Sequence, residues 1–286
     1  MTWPLTRLPH RLAGHLGLRA PDLPLLRHLA GSGDPAIQVQ RLAHYGFAGV
    51  QDNFLACRPL DEQERIASVT RGCDLQLGTF VHDALHWNQP TWNAITAAAR
   101  DALMQAVAGT VECAQRTGAT RAICVAGLDP ARPRHDQLAT MADNLALAAE
   151  LAHGAHLTFC VEATAAARLP GMLVESLDDA LWVTERAAHP QVAIMFDVGH
   201  VATDGDDVPA ALRRARGRIG GIQIADVPNG RPERLDPGAG TLDWRAIFAT
   251  IDAIGYTDLI DVEIEAMDDS VDGERRLLAR LQQLPA

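Results

Sequence analysis

Two periods of hydrophobic and polar positions alternate along this chain. Short runs rich in β-branched and aromatic residues recur at 15–19, 49–53, 75–80, 121–126, 157–162, 192–197, 221–225 and 259–263, and read as strands. The segments between them show helical spacing and recognisable ends. Asp34 and Pro35 supply an N-cap and a first-turn proline, and Gly46 stops that helix. Asp61 with Glu64 three residues on predicts a capping box. The Ala-rich stretch 93–117 ends at Gly118, and a helix opened by Asp243 closes at Gly255.

Eight strands alternating with helices predict the α/β class, as a (β/α)8 TIM barrel or a doubly wound open sheet. A GxGxxG after the first strand would favour the open sheet. None is present, and the count of eight favours the barrel. No internal repeat, low-complexity tract or Pro/Gly/Ser linker marks a boundary, so a single TIM-barrel domain over 1–286 is expected. The longest irregular pieces, 81–91 and 227–242, both follow strands. In a barrel both lie on the catalytic face.

Four oxygen-bearing side chains end the last four strands: Glu162, Asp197, Gln223 and Glu263, spaced 35, 26 and 40 residues apart. On parallel neighbours they emerge at one end of the sheet. Two Glu, one Asp and an amide oxygen form a hard-oxygen cage suited to Mg²⁺, Mn²⁺ or Co²⁺. A lone acid at a strand end is often only an N-cap, but Glu162 and Glu263 sit inside apolar runs (CVEA, DVEI), where an unpaired carboxylate is costly. A cation or a shared proton removes that cost. Two carboxylates facing each other also suit proton transfer beside a carbonyl.

Further candidates surround this set. His200 follows Asp197 by three residues, either as a loop histidine bonded to backbone or as a group polarising a substrate oxygen. Asp226 leads into the polar loop ending DPGAGTLDW, where Arg231 and Arg234 either reach an anionic substrate or stay solvated. His82 and His86 have i,i+4 spacing but lack a third partner, which favours a polar loop touching substrate over a second metal. Trp87 and Trp92 wall the pocket or pack that loop. Cys124 reads as core. The expected substrate contacts are His200, Asp226, Arg231 and His82.

Bulk properties exclude some classes. A net charge of −11 argues against binding a phosphate backbone or an anionic membrane. No apolar run reaches the length of a membrane span, and the first residues, MTWPLTRLPHRLAG, are broken by Pro and Arg unlike a signal peptide. The five cysteines are scattered without a CxxC pair, as expected of reduced thiols in a cytoplasmic protein.

From Glu162 onward the segments VEA with LPGM, FDVGH, GGIQIADVP, DPGAGTLDW and GYTDLIDVEIE occur in an order that resembles the hydroxypyruvate isomerase family, within the xylose-isomerase-like barrels. Before residue 140 only the barrel pattern is similar. The resemblance implies metal ligands at Glu162, Asp197, Gln223 and Glu263, an acid/base pair at Glu162 and Glu263, and a substrate contact at His200. It further implies an isomerase or epimerase of a small hydroxy-ketone, a keto-sugar or a hydroxypyruvate-like acid. One Glu takes a proton beside the carbonyl and a Glu returns it, through an ene-diolate bridged by the metal. A homodimer is expected on the same ground. The chain departs from the family in EATA (family EPxN), in Glu265 (family Lys), and in a longer loop between Pro228 and Pro237 that ends DPGAG (family EPGxG). Those changes bear on the substrate more than on the metal. An endonuclease-IV-like phosphodiesterase would need more His ligands and a basic face. A non-catalytic sugar-binding barrel would show no metal dependence.

Overall fold

The computed structural model describes residues 5, 8–228, 231–264 and 267–285. The altered Glu265 and the loop residues Asn229 and Gly230 lie outside them, as do Met1–Pro4, Thr6 and Arg7 of the N-terminal stretch.

Among the described residues nine parallel strands carry the fold: β1 (Leu12–His15), β2 (Gly49–Gln51), β3 (Gln76–Leu77), β4 (Thr79–Val81), β5 (Arg121–Cys124), β6 (Thr158–Glu162), β7 (Val192–Asp197), β8 (Ile219–Ile224) and β9 (Ile260–Val262). Their order is β3-β2-β1-β9-β8-β7-β6-β5-β4. Nine amounts to the expected eight, because β3 and β4 are one stretch divided at Gly78. β3 pairs with β2, β4 pairs with β5, and Gly78 joins them. Its N–H donates to Val50 O at 2.9 Å, and its carbonyl accepts from Thr120 N at 3.3 Å. The ring therefore closes through the chain itself, and the predicted (β/α)8 TIM barrel is the fold.

Side-chain alternation explains why these runs are strands. In β5 to β9, Ala122, Cys124, Phe159, Val161, Ile194, Phe196, Ile222, Ile224, Ile260 and Val262 join the large core under the helices. The alternate positions Ile123, Cys160 and Met195 pack in a smaller cluster with Val125 and Met172. Glu162, Asp197, Gln223 and Glu263 follow this second parity, so the expected ligands continue the inner layer. Gly221 keeps the layer compact, since a Cβ there would meet Met195 Cε at 2.6 Å.

Most predicted helix ends are where expected. The helix Pro35–His44 is capped by the Asp34 side chain on Ala36 N, and Gly46 adopts a φ of 85° beyond its end. The helix Ala97–Thr117 ends at Gly118 with a φ of 82°, and Trp244–Ala253 is capped by Asp243. Three expectations are corrected. The helix Leu60–Gly72 begins after Pro59 with no side-chain cap, so the Asp61 and Glu64 box does not form. The segment 93–96 precedes its helix rather than joining it. The first strand ends at His15, where 15–19 was expected.

Candidate metal and acid/base site

Four consecutive strands deliver the site. Glu162 is level with Met195, Asp197 with Gln223, and Gln223 with Asp261, so the donors climb by two residues from β6 to β7 and again to Glu263. The strand tilt of a closed barrel offsets such a staircase, bringing the donors to one mouth. All four side chains are buried.

Asp197 ends β7 and caps the helix Val198–Thr203: its Oδ1 accepts from His200 N at 2.8 Å. This cap folds His200 back over the mouth. The ring's Nδ1 accepts from Ala165 N at 3.0 Å, which leaves the ring proton of the neutral form on Nε2. Nε2 stands 3.7 Å from Glu162 Oε1. Burial holds the His200 pKa down at about 4, so the ring is a neutral donor. Of the two roles open to His200, the geometry combines a backbone bond with an inward-facing N–H.

Arg234 reaches the same place from the 227–242 loop. Its Nη2 donates to Asp197 Oδ2 at 2.5 Å and its Nη1 to the Glu263 carbonyl at 2.7 Å. Nη1 also stands 3.4 Å from Glu263 Oε2. Burial opposes this charge, but Asp197, Glu263 and Glu162 outweigh it and raise the Arg234 pKa further. Burial likewise pushes against ionisation of Asp197; the Arg234 charge and the bond from the His200 backbone N–H overcome it and hold that carboxyl below its ordinary value. Glu162 is raised well above the usual carboxylate range, by burial first and then by Glu263 and Asp197. Burial lifts Glu263 to about 7, with Arg234 pulling against it.

The donor set suits a hard cation. Glu162, Asp197 and His200 offer ligand atoms that all lie within 4.8 Å of one another. Gln223 is fully buried, yet neither its Oε1 nor its Nε2 has a hydrogen-bond partner, and Glu263 Oε2 has none either. Orphaned buried polar atoms are costly, and an ion accepted by Gln223 Oε1 and Glu263 Oε2 would remove part of that cost.

Other expected contacts lie elsewhere or do other work. Asp226 is fully buried with all four acceptor positions taken. Its Oδ1 accepts from Val227 N and Leu242 N, and its Oδ2 from Gly238 N and Trp244 Nε1. No lone pair remains for substrate, so its work is to organise the loop. The backbone pairs Asp226 with Leu235 in a short antiparallel bridge, and that bridge brings the neighbouring Arg234 to the mouth. Gly240 allows the close approach, since a Cβ there would meet Asp226 Oδ1 at 2.2 Å. Arg231 is exposed. Of the two loop arginines, the buried Arg234 is the one at the site. Asp236 turns away to an ion pair with Arg280.

His82 directly follows β4, buried beside Trp92 with ring centroids 4.8 Å apart, and its Nδ1 meets Thr110 Oγ1 at 2.8 Å. Burial lowers its pKa to about 4. His86 is exposed and pairs with Asp83, so the two histidines do not share a partner. Trp92 is core, Trp87 packs against the inner cluster, and Cys124 is buried among the helix-facing residues. Arg168 was not foreseen: it follows the altered EATA segment and donates to Pro232 O at 3.0 Å, linking the two loops over the mouth. The only signal in sequence was a lone arginine in an Ala-rich turn.

Among the described residues no helix is long and apolar enough to cross a membrane. A 2-oxo-tetronate isomerase from Cupriavidus necator is 32% identical over 154 residues, covering 54% of this chain and 58% of that protein. An L-ribulose 3-epimerase from Mesorhizobium japonicum is 29% identical over 145 residues, 51% of this chain and 46% of that one. The chain thus spans about half the length of the curated relatives it matches. Isomerases and epimerases both occur among these relatives. A solved structure titled as an AP endonuclease, family 2, from Brucella melitensis superposes with a TM-score of 0.77 at 19% identity, covering 92% of this chain and 96% of that one. At that identity it shows the fold alone. The family model described as a xylose isomerase-like TIM barrel matches residues 39–284, and the chain belongs to that family.

Proposed function

We propose that the protein is a metal-dependent isomerase or epimerase of a small hydroxy-ketone, a keto-sugar or a hydroxypyruvate-like acid. The observation that carries this reading is the pair of buried glutamates, Glu162 and Glu263, placed on β6 and just past β9 around the orphaned amide of Gln223. A divalent ion held by Glu162, Asp197, Gln223 and Glu263 would supply Lewis-acid stabilisation of negative charge on a substrate oxygen.

The chain's own groups do the rest. Burial brings Glu263 close to neutrality, which suits a general base that takes a proton beside a carbonyl. Glu162, the other buried carboxyl at the mouth, is the group that returns one. His200 presents its Nε2–H to a substrate oxygen without adding charge. Return at the neighbouring carbon gives isomerisation, and return on the opposite face gives epimerisation. The 2-oxo-tetronate isomerase and L-ribulose 3-epimerase names of the relatives support both outcomes.

The test is hydrogen exchange in D₂O over a panel of keto-sugars and hydroxy-keto acids with added Mn²⁺. Wild-type protein should label one carbon of one substrate and lose that activity to chelator. Glu263→Gln should lower the exchange rate by about a thousandfold, within the range of general acid–base catalysis. Exchange that survives Glu263→Gln would sink the mechanism, and no exchange with any substrate, together with no bound metal and a thermal stability indifferent to chelator, would favour a binding barrel.

A further inference from the structure

We propose that Arg234 is a resident counter-cation of the metal cage, competing with a divalent ion for the oxygens of Asp197 and Glu263, so that loading the ion requires the 231–236 segment to release its arginine. The inference rests on the metal reading above.

It starts from the lone pairs of Asp197. Oδ1 already accepts the cap from His200 N, and Oδ2 is the oxygen that no backbone group holds. That is the oxygen Arg234 Nη2 holds at 2.5 Å. Across the mouth, Nη1 is pinned by the Glu263 carbonyl and stands 3.4 Å from Glu263 Oε2, which makes no hydrogen bond. The guanidinium thus spans the ligands of β7 and β9. An ion on the same oxygens would sit within a few ångströms of a fixed positive charge, in a buried site where like charges repel strongly.

The placement is built rather than incidental. The Asp226–Leu235 bridge sets the residue next to Arg234, and Arg168 anchors the Pro232 carbonyl. Arg234 also gives the buried carboxylates a partner, which an uncompensated cluster would lack. The segment therefore has two arrangements, one with arginine as the cation and one with the ion, and each excludes the other.

The experiment titrates chelator-stripped protein with Mn²⁺ by calorimetry, for wild type, Arg234→Gln and Arg234→Lys. Hydrogen–deuterium exchange over 231–236 is followed in wild type with and without Mn²⁺. Removing the competitor should tighten Mn²⁺ binding about tenfold or more in Arg234→Gln, a typical coupling between mutually exclusive ligands. Lys, a point charge without the fork, should fall between. In wild type, Mn²⁺ should speed exchange of the 231–236 amides. Equal or weaker Mn²⁺ binding by a folded Arg234→Gln would show that Arg234 supports the ligands rather than competes. Should that variant not fold, unchanged or slower exchange in wild type would overturn the idea alone. If calorimetry shows no Mn²⁺ binding by any of these proteins, the metal reading fails and takes this proposal with it.

Discussion

Two buried carboxylate–arginine pairs sit in opposite halves of the barrel, and they are not equivalent. Beyond β2, Arg58 donates to both oxygens of Asp52, at 2.6 and 3.3 Å, and also reaches Glu62 and the Pro21 carbonyl. The partners Asp52 and Arg58 are six residues apart, and the pair stitches one turn to its neighbours. Past β7, Arg234 grips one oxygen of Asp197 and a backbone carbonyl, 37 and 29 residues away, beside groups with no partner. The first pair is saturated and closes on itself. The second leaves valence unspent, which is how a site differs from a scaffold built of the same residue types.

The largest effect should come from the saturated pair. Arg58→Met leaves Asp52 fully buried with only the Phe54 N–H and no counter-charge, and should cost about 3–5 kcal/mol of stability whether or not Mn²⁺ is present. Urea unfolding of Arg58→Met and Arg234→Gln, each with and without Mn²⁺, sharpens the contrast. Only the Arg234 variant should be restored by the ion, and equal losses that ignore Mn²⁺ would erase the distinction.

Next in size is a pH effect in the scaffold half. His82 is buried and neutral, with a folded pKa near 4 against an ordinary 6.5. Between those values the unfolded chain binds a proton that the folded chain refuses, so stability present above pH 6.5 is lost as pH falls toward 4. The full effect is about 3 kcal/mol. Unfolding curves for wild type and His82→Gln at pH 7.5 and 5 should show a smaller pH dependence in the variant; parallel curves would mean His82 is not the titrating group.

The smallest effect tests the loop that carries Arg234. Asp226→Asn sets an amide NH₂ against N–H donors that now share a carboxylate, and should cost about 1–2 kcal/mol. Thermal unfolding reads that loss, and protease cutting near 227–242 should increase with it. A variant as stable and as resistant as wild type would deny Asp226 its organising part.

The second half of the barrel was the more legible in sequence, for a physical reason. In β6 to β9 the strand ends alternate cleanly, and an oxygen-bearing residue falls on the inward parity each time. The first half reads less well. Alternation in HLGLR continues past the end of β1, and Gly78 divides the third strand, which periodicity alone does not register. The exchanged roles of Asp226 and Arg234 were hidden because they depend on a loop folding back on itself. A carboxylate accepting four hydrogen bonds and a buried guanidinium look alike in sequence to a solvated turn. The capping box at Asp61 failed because Pro59, two residues earlier, already opens the helix.

One bond seen in the site has a practical consequence for anyone altering this protein. His200 is held by the amide of residue 165, not by that residue's side chain. A small side chain can therefore replace Ala165 while the imidazole keeps its orientation; the position is fully buried, so bulk there costs packing. Proline at 165 deletes the hydrogen that fixes the ring, and is the one small residue that a substitution series at this position should leave out.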